Sequence, residues 1–147
     1  HSRKCLILNT TTGSMKKDIP QLKVEDIAVA IAPRNDPNEE LWDVYLINLK
    51  EEPIKNVLVT SNGYGEMDGE EVKTTTLRYF FDAVDSLGYV VVEPIQSRLF
   101  RISNEYWVSF TLGDYMFDKR YVFVNGSIDT AHFTTIPFIG KKGVMIR

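Results

Sequence analysis

The sequence predicts an all-β fold, an antiparallel immunoglobulin-like sandwich of about eight or nine strands with room for one short helix. Three observations carry that expectation. Strand-like segments fill the chain from Asp26 to its end. They are short and punctuated at regular intervals by turn residues. No sustained helical period runs between them. A closed barrel is the alternative arrangement of the same strands. The sandwich reading rests on strand count and patterning, because no cysteine pair brackets a core tryptophan.

Asp26-Ile27-Ala28-Val29-Ala30-Ile31-Ala32 is a small and branched apolar run stopped by Pro33, and Asn35-Asp36-Pro37-Asn38 supplies turn chemistry after it. Trp42 to Asn48 alternates, with Val44 and Leu46 on the face of Trp42, and ends before the charged turn Lys50-Glu51-Glu52-Pro53. Ile54 to Thr60 is a third strand, joined to the second by a hairpin-length connection. Ser61 to Glu71 reads as a solvated hairpin or bulge loop, with Gly63, Gly65 and Gly69 permitting unusual backbone angles. In the next stretch two periods compete. Val72 to Phe81 has the β-branched content of a strand, yet Leu77, Phe80, Phe81, Val84 and Leu87 fall at helical spacing before Gly88. Three consecutive threonines favour the strand, with an irregular turn to Gly88; a short helix over 77–87 is the competing outcome. Tyr89 to Glu93 is a strand limited by Pro94, and Leu99 to Ile102 a short extended piece. Tyr106, Val108, Phe110 and Leu112 alternate with Trp107, Ser109 and Thr111 up to the turn at Gly113-Asp114, and Lys119 to Val124 pairs back. Asn125-Gly126 signals a turn, Phe133 to Ile136 a further strand, and Gly143 to Arg147 the last.

A chain of 147 residues, 44% hydrophobic and 25% charged, fits one domain with a single core. The formal charge of -3 weighs against a polyanion as main partner, since nucleic-acid binders carry a basic face. No apolar run approaches the ~18 to 20 residues that span a bilayer. Residues 1–14 read as an expression-vector remnant, because Gly13-Ser14-Met15-Lys16-Lys17 looks like a cloning junction followed by an initiator methionine. The domain is then 15–147. The alternative is an N-terminal strand, Cys5-Leu6-Ile7-Leu8 being apolar enough to pair with a sheet edge. A single cysteine makes no internal disulfide, which points to a reducing, cytoplasmic setting.

The motifs exclude several chemistries. The Ser61–Glu71 segment lacks the Lys-Ser or Lys-Thr ending of a phosphate loop, and its four carboxylates would repel a phosphate. Its spacing also fails the calcium-loop pattern. Structural zinc needs four sulfur or nitrogen ligands, which His132 and a vector-derived Cys5 do not supply, so no metal or cofactor is expected. No serine sits in a nucleophile elbow, and His132 beside Phe133 reads as a packed or half-exposed side chain. Asp82 with Asp85, or Glu39 with Glu40, would act as acid and base only in a cleft, and surface acids are the plainer reading. Arg78, Arg98, Arg101 and Arg120 interleave with Tyr79, Phe100, Trp107 and Tyr121, a weak single-strand-binding signal, because aromatics in alternating strands are mainly core.

The stretches Met15-Lys16-Lys17-Asp18-Ile19-Pro20, Leu41-Trp42-Asp43-Val44-Tyr45-Leu46-Ile47-Asn48, Asp118-Lys119-Arg120-Tyr121-Val122-Phe123 and Gly143-Val144-Met145-Ile146-Arg147 resemble a family of short bacterial β-sandwich proteins of unknown function. Some members carry the label phenylalanyl-tRNA synthetase alpha subunit. The resemblance covers Met15 to Arg147, and its motifs are structural in character. Neither the adenylate-binding arginine motif nor the glycine-rich motif of a class II synthetase occurs in the chain.

Two functions from different classes follow. The first is a non-catalytic sandwich that binds a protein partner or a second copy of itself, since sheet edges accept added strands and exposed Tyr64, Trp107 or Tyr115 would suit an interface. The second is a ligand- or RNA-associated accessory protein. The candidate binding residues are Tyr64, Arg101, Trp107 and Arg120, and a concave pocket gathering Tyr64, Arg101 or Arg120 would favour the second function.

Overall fold

A strand that alternates large apolar and polar side chains needs one covered face, and this chain provides the cover by packing two antiparallel sheets against each other. The computed structural model describes residues 23–35 and 40–147, together with the backbone of 2–6. In chain order the strands are β1 (Ser2–Leu6), β2 (Ile27–Pro33), β3 (Leu41–Asn48), β4 (Ile54–Met67), β5 (Glu70–Lys73), β6 (Leu77–Val84), β7 (Gly88–Gln96), β8 (Ser103–Leu112), β9 (Tyr115–Phe123), β10 (Thr134–Ile136) and β11 (Lys141–Ile146). Two short 3-10 turns, Ser97–Arg101 and Thr130–His132, are the only helical pieces among the described residues.

The first sheet runs β1-β9-β8-β4-β5, with β6 also on β4; the second runs β10-β11-β2-β3-β7. The 14-residue β4 has two successive partners on one side. Ile54 to Ser61 pair with β6, and Tyr64 to Met67 pair with β5. The changeover lies beside Thr74, whose N–H donates to the Gly63 carbonyl at 2.9 Å while its Oγ1 accepts from the Gly63 N–H at 2.7 Å.

Burial follows the strand period. Val29, Ile31, Val44, Leu46, Val92 and Ile95 of the second sheet meet Val57, Val59, Val108, Phe110 and Phe123 of the first. Full burial of each such aliphatic is worth about 1.5–3 kcal/mol. Buried polar side chains at this core have partners, as two of them show. Tyr121 donates its hydroxyl to the Ile27 carbonyl at 2.6 Å, and burial pushes its phenol well above the ordinary range. Asn48 donates Nδ2 to the carbonyls of Glu52, Val84 and Asp85 and accepts from the Lys50 N–H, tying the β3–β4 turn to the β6–β7 turn. On the second sheet's other face Ala28, Ala30 and Ala32 are buried with Tyr45, Ile47 and Ile136. Gly143 allows β11 to lie against β2 there, because a Cβ would overlap the Ile31 carbonyl oxygen.

The all-β fold of two antiparallel sheets agrees with the expectation, and several finer expectations do not. The described residues form eleven strands, where about eight or nine were expected. Most of Ser61–Glu71 is no loop: β4 continues through it to Met67, and the reversal is confined to Asp68-Gly69, both with positive φ. The strand expected over Val72–Phe81 is interrupted at Thr74–Thr76, where the chain steps from one half of β4 to the other. The helical period over 77–87 is coincidental, since β6 fills Leu77–Val84 and its backbone bonds to β4. The expected extended piece Leu99–Ile102 is mostly the first 3-10 turn. The vector assignment of 1–14 and the turn at Asn35-Asp36-Pro37-Asn38 fall largely outside the described residues; the backbone of Ser2–Leu6 runs antiparallel to β9.

Candidate functional site

One side of the sandwich is built from two consecutive strands that belong to different sheets. Among the described residues β6 pairs with β4 alone and β7 with β3 alone, so each presents an outer backbone edge on the same side. Because side chains alternate, Arg78, Phe80 and Asp82 point to the outer face of the first sheet, while Tyr79 and Phe81 turn toward the core; the alternation breaks at the strand's end, where Ala83 is exposed and Val84 buried. Phe80 is left 61% exposed and Leu77 46%. On β7 the outward residues Tyr89 and Val91 are likewise exposed.

β7 differs from β6 in carrying a β-bulge. Val44 faces Glu93 while Tyr45 faces Val91, which leaves Val92 as the extra residue. The bulge turns both Val92 and Glu93 inward, and Pro94 then removes one backbone donor from the strand. Without the bulge, alternation from Tyr89 and Val91 would have aimed Glu93 at solvent.

The inward carboxylate gathers three hydroxyls from three strands. Glu93 Oε1 accepts from Tyr79 at 2.7 Å and from Ser61 at 2.9 Å, and Oε2 accepts from Tyr106 at 2.9 Å. β7 is thereby tied to β6, β4 and β8 across the gap between the sheets. Burial, reinforced by the Glu93 carboxylate, pushes the Tyr79 phenol up to about 12 and the Tyr106 phenol well above its usual value. Both tyrosines therefore stay neutral donors at physiological pH. Beside this network lies a cleft of about 400 Å³ whose walls include Ser61, Gly63, Thr74, Glu93, Arg98 and Asn104. The three hydroxyls take up three of the roughly four acceptor positions of a carboxylate, which leaves one for an incoming donor.

The four residues expected to bind do not gather in that cleft. Tyr64, Trp107 and Arg120 share the outer face of the first sheet, Trp107 standing opposite Arg120 in the β8–β9 ladder. Tyr64 donates to Glu105 Oε1 at 3.2 Å, Arg120 pairs with the same oxygen at 3.5 Å, and the Trp107 indole N–H donates to Asp118 at 3.2 Å. Arg101 sits apart, on the first 3-10 turn, in an exposed ion pair with Asp68 at 2.9 Å. His132 is exposed at the end of the second 3-10 turn, Asp82 and Asp85 are exposed, and Glu39 lies outside the described residues. Among the described residues no group of three or more His, Cys, Asp and Glu could hold a metal ion, and no helix is long and apolar enough to cross a membrane.

Sequence reasoning gave no site role to Glu93, Ser61 or Tyr106, and placed Tyr79 only among the aromatics of the weak single-strand-binding signal. The one signal for Glu93 was a charged residue closing the run Val90-Val91-Val92 immediately before Pro94, the composition of a bulged edge strand. No family model matches the chain, and no curated protein matches it in sequence.

Proposed function

We propose that the chain is a non-catalytic interaction module that binds a protein strand along the outer edge of β6. The observation that carries this reading is an eight-residue edge strand, Leu77–Val84, without proline or lysine, whose outward Phe80 is 61% exposed. Edge strands left open to water are commonly blunted by such residues, because unpaired N–H and C=O groups beside apolar side chains template the addition of another strand. The single cysteine of the chain fits work in the reducing cytoplasm. The test is affinity capture from native lysate, with and without nuclease, comparing wild type with Phe80→Lys. A stoichiometric protein held by wild type and lost by the variant supports the reading. Equal capture by both, or recovery of RNA alone, contradicts it.

The Glu93 cleft favours a second reading, a small hydrogen-bond-donating ligand that donates to the remaining acceptor position of the carboxylate. A thermal-shift screen of amines and guanidines against wild type and Glu93→Gln tests it; stabilisation by such a compound in wild type alone would support ligand binding. Two of the candidate arginines favour an RNA partner less, since Arg120 and Arg101 already pair with Glu105 and Asp68.

A further inference from the structure

We infer that the strand received by β6 is β6 of a second copy, in an antiparallel two-fold pair centred on Phe80; this rests on the strand-addition reading above. The sequence Leu77-Arg78-Tyr79-Phe80-Phe81-Asp82-Ala83-Val84 is complementary to itself about Phe80. In an antiparallel pair with that centre, Phe80 faces Phe80 of the second copy, Arg78 faces its Asp82, and Asp82 faces its Arg78. All three pairs lie on the outer face of the sheet, since positions 78, 80 and 82 share the side of the strand opposite Tyr79 and Phe81. On the core-facing side, Tyr79 stands opposite Phe81 of the second copy. Directly opposed side chains in such a ladder have Cβ atoms about 4.5–5.5 Å apart, close enough for ion pairs and aromatic contacts. Arg78 and Asp82 are both exposed, and neither forms an ion pair among the described residues.

A two-fold interface requires each surface element to be its own complement, and positions 78, 80 and 82 meet this requirement in charge as well as in size. A one-residue slip would place the charged residues of one copy opposite core-facing residues of the other, so the charges also fix the register. The pair would join two six-stranded sheets edge to edge and cover Phe80 in both copies. β7 does not serve this role, because its bulge and Pro94 break the ladder that a symmetric partner would need.

Sedimentation equilibrium of the full chain, over concentrations up to about 200 μM to cover the weak range expected of so small an interface, tests the assignment. Wild type should dimerise. Arg78→Asp places like charges opposite each other at both ends of the ladder, as does Asp82→Arg, and each should weaken dimerisation by about tenfold or more. The double variant restores opposite charges and should return to within about threefold of wild type. Far-ultraviolet circular dichroism of each variant confirms that the monomer is folded. A wild type that stays monomeric, a dimer indifferent to the single variants, or a double variant no better than the singles overturns the assignment. A monomeric wild type that nevertheless captures another protein in a Phe80-dependent way would overturn the second copy as partner and leave the strand-addition reading standing. Loss of both dimer and capture would remove both.

Discussion

β6 and β7 are neighbours in sequence and lie on the same side of the sandwich, yet they treat their free edges in opposite ways. β7 carries a bulge and a proline, and the bulge turns a carboxylate inward to collect three hydroxyls. β6 carries a regular strand with an exposed aromatic residue at its middle. A protein that needed only to stay soluble would gain from blunting both edges. The contrast teaches that the same device which protects β7 also builds the internal Glu93 network, while β6 is left free to pair.

The largest expected effect comes from removing what anchors the protected edge. Glu93→Ala leaves the buried Tyr106 hydroxyl without its acceptor and unties β7 from β4 and β6, at a cost of about 3 kcal/mol, read as a lower urea midpoint with an unchanged slope. If the midpoint were unmoved, the bulge would be ornament and the contrast with β6 would lose its structural half. Asn48→Ala comes next. It removes donors from the carbonyls of Val84 and Asp85, at the turn that positions both edges, and should cost about 2 kcal/mol by the same measurement.

Smaller still is the effect of Phe80→Lys on stability, within about 0.5 kcal/mol because the side chain is exposed. The same variant should abolish β6 pairing. Val91→Lys on β7, also exposed and on the neighbouring edge, should leave association intact. Equal responses at positions 80 and 91 would erase the distinction between the edges.

The last effect is absent at neutral pH. The phenols of Tyr79 and Tyr106 are raised in the fold, whereas in the unfolded chain they ionise near 10. The folded protein then holds protons that the unfolded chain releases, so their contribution is complete below pH 10 and is lost as pH climbs through about 12 at Tyr79. Tyrosinate absorbance during alkaline titration should show Tyr79 ionising late in wild type, and Tyr79→Phe should delete that late component. An early component lost instead would mean that Tyr79 lies outside the Glu93 network.

The fold class was legible because alternation in segments such as Tyr106–Leu112 reports directly which face is covered. The Glu93 network was not, since a single extra residue in β7 reverses the face of everything after it, and nothing short of the pairing register reveals the insertion. The competing periods over 77–87 are the most instructive case, resolved in favour of the strand. Leu77 and Phe80 completed an apparent helical stripe, and the strand leaves those two exposed, so the misleading pattern marked the strand that lacks a second partner among the described residues. Three of the four expected binding residues share one face, but each is held by a carboxylate brought beside it by cross-strand register, an arrangement that composition alone does not show.

Residue-resolved amide hydrogen exchange at concentrations where wild type associates tests the central contrast most directly. The outward-facing amides of β6 should exchange slowly in wild type and quickly in Phe80→Lys, while those of β7 exchange quickly in both. Fast exchange along β6 in wild type, or protection of β7 instead, would contradict the assignment of β6 as the interaction edge.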